Sequence, residues 1–281
     1  MNINKNIIII IIIFIIFKIP FSIAKESLTL SYENIDLTLK GNFIQGGLVI
    51  GKTNLNSFII FKNKKIRQTP DGLFVIGFGR DHPETASLSL EINKELITKS
   101  FKIKQRIYKI QKINGLQKKM VTPPKSFYER IIRENKAIKE VRDLDSNLDF
   151  VFQKFNWPTQ GVISGVFGSQ RILNGKTKRP HYGIDIAVKK GTTVVAPTES
   201  IVRMAKKDLY YTGGTIMLDH GHGVTSVYSH LSSINVKVGD KVLKNQKIGE
   251  VGSTGRSTGP HLDWRVNWFD QRLDPLLLLE N

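Results

Sequence analysis

Short apolar runs that alternate with polar residues dominate the first 115 residues. Apolar side chains occupy every second position near Leu28–Tyr32 and Ile35–Leu39, and apolar clusters follow at Phe58–Phe61 and Phe74–Ile76. Gly, Asn, Asp and Pro residues interrupt the runs, so that each has the length and period of a strand. The pattern predicts a small β-domain over residues 25–115.

The C-terminal part repeats this pattern after Trp157, with frequent glycines and a second set of short apolar runs. A chain of 281 residues with 40% apolar residues can build two domains with packed cores. We therefore predict a mainly β chain with a second β-rich domain over residues 156–281. Its candidate strands are Ile184–Val188, Thr193–Ala196, Thr215–Leu218, Val224–Tyr228, Lys247–Val251 and Leu262–Val266.

A linker over residues 116–155 separates the two predicted domains. Ser126 with Glu129 three positions later has the form of a capping box, and apolar residues then recur at helical spacing up to Val141. The pattern predicts a helix over residues 126–142. Its charged majority is typical of a solvated helix face.

Residues 1–24 have the pattern of a secretory leader. Lys5 precedes the apolar run Ile7–Phe17, and Pro20 precedes Ser22-Ile23-Ala24. The run is short for a membrane span, and small residues occupy the positions that a signal peptidase recognises. We predict cleavage after Ala24 and no permanent span, with an uncleaved N-terminal anchor as the alternative.

The charge and the missing cysteines narrow the possible partners. Forty-two basic against 24 acidic residues give a net charge of +18, which falls by two, to +16, when Lys5 and Lys18 leave with the leader. Such a surface attracts polyanions, although heavy Ile, Lys and Asn usage also fits an AT-rich genome. In an exported protein, a cell-wall polymer is a better partner than nucleic acid. Without cysteine, disulfides and thiolate sites are excluded, so any metal needs His, Asp or Glu.

Gly46–Thr53 matches the written pattern of a phosphate-binding P-loop. Such a loop must open a helix, but strand-like residues follow here. We therefore assign the match to a hairpin or loop and expect no nucleotide.

Five of the six histidines fall in the last 101 residues. His181 lies four positions before Asp185, an even spacing that keeps two side chains on one face of a strand. The same period places His261, Asp263 and Arg265 on one face of a strand and Leu262, Trp264 and Val266 on the other. Imidazole nitrogen and carboxylate oxygen are both good zinc ligands.

Over Gly161–Pro275 the chain resembles the lysostaphin-type, LytM-like family of zinc murein endopeptidases. Gly77–Asp81 in the first domain also resembles, less distinctively, the non-catalytic domain that precedes the peptidase in some members. The resemblance implies a C-terminal antiparallel β-sheet peptidase domain with an open cleft. The matching blocks are Ser164–Gly168, His181–Asp185, Gly191–Pro197, Asp219–Gly221, Tyr228–Leu231, Val238–Asp240 and Gly252–Val266.

The resemblance also implies the roles of individual residues. His181 and Asp185 match two zinc ligands, and Asp263 stands where the family has the second His of a His-x-His pair. Carboxylate remains a zinc ligand, so the expected metal set is His181, Asp185 and Asp263. His230 and His261 match the non-ligand histidines of the active site. We expect structural roles for His220 and His222, and a loop position for His82.

The change to Asp263 predicts a higher pH optimum than a relative with two His and one Asp would have, because a less positive site acidifies water less. Arg265 could offset that charge, but an ordinary surface arginine is the simpler expectation.

These features together predict a secreted zinc metalloendopeptidase that hydrolyses peptide cross-links in peptidoglycan. An exported wall peptidase suggests the periplasm of a Gram-negative-type cell, and the substrate is then the D-alanyl–diaminopimelate link. The alternative is a non-catalytic member that binds the wall or activates another hydrolase.

Overall fold

The computed structural model describes residues 26–32, 35–53, 58–92 and 95–279. The predicted leader, residues 1–24, lies outside these ranges. Within them, no helix combines the length and the apolar content that a bilayer crossing requires.

The chain is mainly β, as predicted, with two helices between two groups of strands. The helices are α1 (Lys118–Val121) and α2 (Tyr128–Arg142). The N-terminal strands are β1 (Glu26–Tyr32), β2 (Ile35–Gly41), β3 (Leu48–Thr53), β4 (Phe58–Phe61), β5 (Lys64–Ile66), β6 (Leu73–Gly77), β7 (Thr85–Ile92), β8 (Glu95–Lys102) and β9 (Ile110–Ile113). The C-terminal strands are β10 (Val162–Gly165), β11 (Gln170–Leu173), β12 (Lys176–Thr177), β13 (Ile184–Ala187), β14 (Thr193–Val195), β15 (Ser200–Leu209), β16 (Gly213–Gly221), β17 (Val224–Leu231), β18 (Ser233–Ile234), β19 (Lys241–Val242), β20 (Lys247–Glu250), β21 (His261–Trp268) and β22 (Gln271–Leu273).

Two antiparallel sheets form the N-terminal part. Their strand orders are β1-β2-β3-β6 and β5-β4-β7-β8, and their alternating apolar side chains share one core. Gly51, Lys52 and Thr53 lie inside β3, which pairs with β2 and β6. The P-loop-like pattern therefore consists of the end of the β2–β3 hairpin loop and strand β3 itself, in agreement with the hairpin assignment, and no helix begins at its Gly-Lys-Thr.

A large antiparallel sheet forms the C-terminal part, in the order β10-β13-β21-β17-β16-β15-β19, with β22 paired to β21. Strands β13, β21 and β17 are almost wholly buried, because apolar side chains pack on one face and the site residues fill the other. Two small sheets, β12-β11-β9 and β14-β20-β18, flank it.

The helix α2 lies against the large sheet. Val141 packs in a small cluster with Met204, Met217 and Val227. The predicted capping box was wrong: Phe127 is the N-cap and makes no side-chain capping bond, because Ser126 belongs to a 3-10 turn that leads into the helix.

Two features join the N-terminal and C-terminal parts. A single hydrophobic core contains residues from both, with the Phe61 and Trp268 rings 5.8 Å apart. In addition, β9 pairs in parallel with β11, so a strand from before the helices belongs to a sheet of the C-terminal part. The predicted boundaries at residues 115 and 156 stay predictions, and this pairing crosses both.

Candidate metal centre and cleft

Neighbouring strands place two carboxylates side by side. Asp185 on β13 and Asp263 on β21 are directly opposed in the antiparallel register. Both are buried. Like charges in opposed positions destabilise a sheet, so this pair needs compensating cations or a metal.

His181 completes a group of three possible ligands. It lies in the loop immediately before β13, one of the two expected positions, before or within the strand, so strand periodicity does not apply to it, although its side chain meets that of Asp185. Its Nε2 is 3.2 Å from Asp185 Oδ1. In the described part of the chain, His181, Asp185 and Asp263 are the only set of three such residues whose ligand atoms lie within 4.8 Å of one another.

Several atoms of this group have no hydrogen-bond partner and are suitable metal ligands. Both ring nitrogens of His181 and Oδ1 of Asp185 are buried without a hydrogen-bond partner. Leaving such atoms unpaired costs about 1–3 kcal/mol each, so native proteins seldom do so without a reason. One imidazole and two carboxylates are a donor set that zinc and similar divalent cations accept. The residues present therefore fit a metal.

Each carboxylate also contacts an arginine. Arg171 on β11 donates to Asp185 Oδ2, and Arg265 donates from Nε to Asp263 Oδ1 at 2.8 Å and from Nη2 to Oδ2. Arg265 is thus a bidentate partner of Asp263, and the expectation of an ordinary surface arginine was wrong. Gly183 gives it space, because a Cβ there would lie 2.5 Å from Arg265 Cγ.

These contacts set the charge states of the site. Burial opposes the ionisation of Asp263, but Arg265 holds the pKa of that carboxyl well below its usual range. Burial likewise opposes the charge on Asp185, and the adjacent Arg171 guanidinium lowers its pKa. Burial lowers the pKa of His181. The group therefore offers two carboxylates and a neutral imidazole, which are the protonation states that bind metals.

His230 and His261 stand beside this group with ring centroids 4.7 Å apart. His230 Nδ1 is 2.7 Å from the carbonyl oxygen of Thr254, and His261 Nδ1 is 2.8 Å from that of Gly259. A carbonyl only accepts, so each Nδ1 carries a proton. Among the described residues neither Nε2 has a hydrogen-bond partner, and that of His261 lies 3.9 Å from Asp185 Oδ1. Burial and the neighbouring His261 lower the pKa of His230 to about 4, which keeps its ring neutral at pH 7.

The other three histidines have structural contacts. His220 donates from Nδ1 to the carbonyl of Glu199 and accepts from the Ser226 hydroxyl at 2.8 Å. His222 contacts Asp149 at 3.1 Å. His82 lies in a loop, as expected, but is buried and stacks on Phe61.

A cleft of about 300 Å³ opens over the site. The loop before β21 forms one wall and supplies the carbonyls that hold His230 and His261. The sheet of β9 and β11 forms the opposite wall. From the sequence, the loop was part of a matching block, but Arg256 in it had no predicted role, and neither did any cleft residue of the β9–β11 wall, Arg171 among them. The cleft residues without a predicted role include Gln111, Ile113, Leu116, Arg171, Leu173 and Arg256.

Comparisons with known proteins agree on the C-terminal region. A family model described as "Peptidase family M23" matches residues 179–275. The chain is 38% identical over 122 residues to the "Peptidoglycan DD-endopeptidase ShyA" of Vibrio cholerae, covering 43% of this chain and 28% of that protein. It is 38% identical over 114 residues to the "DD-carboxypeptidase/endopeptidase Mpg" of Neisseria meningitidis, covering 41% and 26%. The chain spans about a quarter to a third of the length of the curated relatives that it matches.

One solved structure is similar over both parts of the chain. It is described as a putative peptidase M23 from Pseudomonas aeruginosa, with a TM-score of 0.62 and 26% identity. The match covers 84% of this chain and 94% of that one. The likeness therefore extends beyond residues 179–275 into the N-terminal strands.

Proposed function

Because residues 179–275 match the model of peptidase family M23, we propose that this chain is a zinc endopeptidase that hydrolyses peptide cross-links of peptidoglycan. The observation that carries the proposal is the buried His181, Asp185 and Asp263 group, in which His181 and Asp185 have unpartnered atoms. His261 Nε2 lies 3.9 Å from Asp185 Oδ1, and the His230 ring lies next to that of His261. The similar proteins named as peptidoglycan endopeptidases support the substrate class.

The three ligand residues would hold the zinc ion, and Arg171 and Arg265 would keep the two carboxylates ionised and oriented. A zinc ion with three protein ligands acts as a Lewis acid on the scissile carbonyl and makes the attacking water more acidic.

His230 and His261 move the protons in this proposal. Their Nδ1–H bonds to loop carbonyls fix each ring and present Nε2 to the cleft. A neutral Nε2 accepts the proton of the attacking water and returns it to the leaving amine, and a protonated one donates to the oxyanion. Burial lowers the pKa of His230 to about 4, so its ring is neutral and its Nε2 unprotonated at neutral pH, and such a ring is a weak base.

The location follows from the substrate. Peptidoglycan lies outside the cytoplasmic membrane, so we place the protein in the periplasm, with the D-alanyl–diaminopimelate link as the bond cleaved. The predicted leader would direct export, and the net charge of +16 that remains after its removal favours an anionic wall.

The test uses purified residues 25–281 on isolated cell-wall sacculi. We expect bound zinc by elemental analysis and release of peptide fragments that a chelator stops and added zinc restores. Asp185→Asn should lose both zinc and activity, whereas Asp208→Asn, the same change at an exposed position, should keep both. Release that is insensitive to chelator contradicts the zinc mechanism. Sedimentation with sacculi without any release supports the non-catalytic, wall-binding alternative.

A further inference from the structure

Strand β9 brings a residue from outside the matched peptidase region to the metal ligands. In the parallel pair of β9 and β11, Gln111 is the register partner of Arg171. Both side chains line the cleft, and both precede residues 179–275. Gln111 also precedes the region that resembles the family, Gly161–Pro275, and Arg171 lies in that region but in none of its matching blocks.

Arg171 connects this wall to the site. Its Nη2 donates to Oδ2 of Asp185, and its side chain is 15% exposed. Oδ1 of the same carboxylate is left without a hydrogen-bond partner beside His181. The arginine thus occupies one carboxylate oxygen and leaves the other for a metal.

Gln111 lies next to Arg171, and each of the two side chains has a polar atom without a hydrogen-bond partner. The Oε1 acceptor of Gln111 and the Nε donor of Arg171 are both buried without a partner. Gln111 Nε2 donates to the backbone carbonyl of Ser164 at 3.3 Å, and the Ser164 hydroxyl donates to that of Asp185 at 3.3 Å. Register partners on adjacent strands lie side by side, so this buried donor and this buried acceptor are suitably placed to pair with each other.

We propose that Arg171 and Gln111 are positioning residues for the metal centre: Arg171 fixes the orientation of Asp185, and Gln111 fixes Arg171. The proposal rests on the proposed metal site and adds strand β9 to it. Residues that orient a metal ligand typically change metal affinity about 10- to 100-fold when removed.

An arginine near a cation could also act only through its charge, and the two roles predict opposite results. If Arg171 mainly repels the metal, Arg171→Ala and Arg171→Gln both bind zinc more tightly than the wild type. If Arg171 positions Asp185, Arg171→Ala binds zinc about 10- to 100-fold more weakly. Arg171→Gln, which keeps an N–H donor for Asp185, then falls between Arg171→Ala and the wild type.

The measurement is zinc affinity of the purified chain at fixed pH, by competition with a chromophoric chelator. Circular dichroism of the metal-free proteins checks that each variant is folded. Gln111→Ala should weaken zinc binding about three- to ten-fold, the effect of one hydrogen bond. Made in the Arg171→Ala background, it should have no further effect, because Gln111 acts through Arg171.

Lys112→Ala is the matched control, since Lys112 follows Gln111 on β9 and is exposed, whereas Gln111 lines the cleft. It should leave the affinity unchanged. Equal or tighter zinc binding by Arg171→Ala overturns the proposal, and so does an undiminished effect of Gln111→Ala in the double variant. If Arg171→Ala does not fold, Arg171→Gln and Gln111→Ala decide the question by themselves. A wild-type chain that binds no zinc overturns the proposed metal function as well, which separates the two failures.

Discussion

At the scale of single residues, the two buried carboxylates are each matched by an arginine. Asp185 pairs with Arg171, and Asp263 pairs with Arg265. The higher pH optimum predicted from the sequence assumed that Asp263 adds an uncompensated negative charge. Because Arg265 supplies the opposite charge at both carboxylate oxygens, the physical reason for a large difference is removed.

Removing only one partner of the buried Asp263–Arg265 ion pair should lower the free energy of unfolding. Arg265→Met leaves a buried carboxylate without its partner, and we expect the free energy of unfolding to fall by roughly 3 kcal/mol. Asp263→Asn combined with Arg265→Met should recover much of that loss. Urea denaturation in the presence of chelator measures both variants.

The control for this prediction is Lys247→Met, which breaks an exposed ion pair with Glu250 and should cost less than about 1 kcal/mol. Equal losses for the two single variants would contradict a special role for the buried pair.

His261 should affect catalysis without affecting the metal. His261→Ala removes a free Nε2 beside the site, and we expect kcat on peptidoglycan fragments to fall about 10²- to 10⁴-fold. Elemental analysis should still find zinc. If zinc is lost together with activity, His261 is a metal ligand rather than a proton carrier.

His220 predicts how stability responds to acid. Burial lowers its pKa from an ordinary 6.5 to about 4. Between pH 6.5 and pH 4 the unfolded chain therefore binds a proton that the folded chain does not. The free energy of unfolding should fall by up to about 3 kcal/mol as pH drops through this window.

Chemical denaturation at several pH values checks this prediction. His220→Asn should have a shallower dependence than the wild type across that range. Parallel curves for the two proteins would show that His220 does not contribute.

The types of the site residues were readable from the sequence, but their partners were not. His181, Asp185 and Asp263 stood out because metal ligands are chemically distinctive and lay in recognisable blocks. Arg265 was seen on the correct strand face, yet nothing in the sequence shows that it turns inward to Asp263. Gln111 gave no signal, because its place in the cleft depends on a strand pair between distant segments.

At the scale of elements, the helix α2 is held to the large sheet by a polar contact as well as by Val141. Glu134 accepts the backbone N–H of Tyr210 at 2.8 Å and the Nε–H of Arg130 at 2.6 Å. Tyr210 is buried. The helix therefore supplies the hydrogen-bond acceptor for the backbone N–H of Tyr210, the residue that follows β15.

Removing this acceptor should destabilise the fold. Glu134→Ala leaves the Tyr210 N–H unpaired, and we expect a loss of about 2 kcal/mol by urea denaturation. Glu140→Ala, at an exposed position of the same helix, should change stability by less than about 0.5 kcal/mol. If the two variants lost equal stability, the loss would come from a change in helix propensity and not from the unpaired Tyr210 N–H.

The sequence predicted whether a segment is a strand or a helix better than it predicted the residues at which the segment begins and ends. Period-two patterns predicted most strands because burial of one face imposes that period. The ten-residue β15 was missed, since Lys206, Lys207 and Asp208 lie in its exposed part and hide the pattern. The sequence predicted the start of α2 at Ser126, but the Ser126–Glu129 pattern begins in a 3-10 turn that precedes the helix, and the sequence does not distinguish the two cases.

At the scale of the whole molecule, the two parts of the chain share one hydrophobic core. Trp268 contacts Phe61, and a Cβ on Gly77 would lie 2.8 Å from that of Trp268. Arg106 and Asp274 form an ion pair at 2.8 Å across the same junction. The parts should therefore not unfold independently.

Calorimetry tests this coupling. We expect one heat-absorption peak, with calorimetric and van 't Hoff enthalpies equal. Trp268→Ala should lower the free energy of unfolding by about 3–5 kcal/mol and still give one peak. Two separate peaks in the wild type would show that the junction does not couple the parts.

The parallel pair of β9 and β11 also has a kinetic consequence. Its register partners, such as Gln111 and Arg171, are sixty positions apart, and everything between them, including α2, is a loop that this pair must close. Closing a long loop loses chain entropy before its contacts form, so such pairs form late and slowly in folding. We expect the cleft wall to be among the last structures to assemble, and an early folding intermediate to have the large sheet but an unfinished active site.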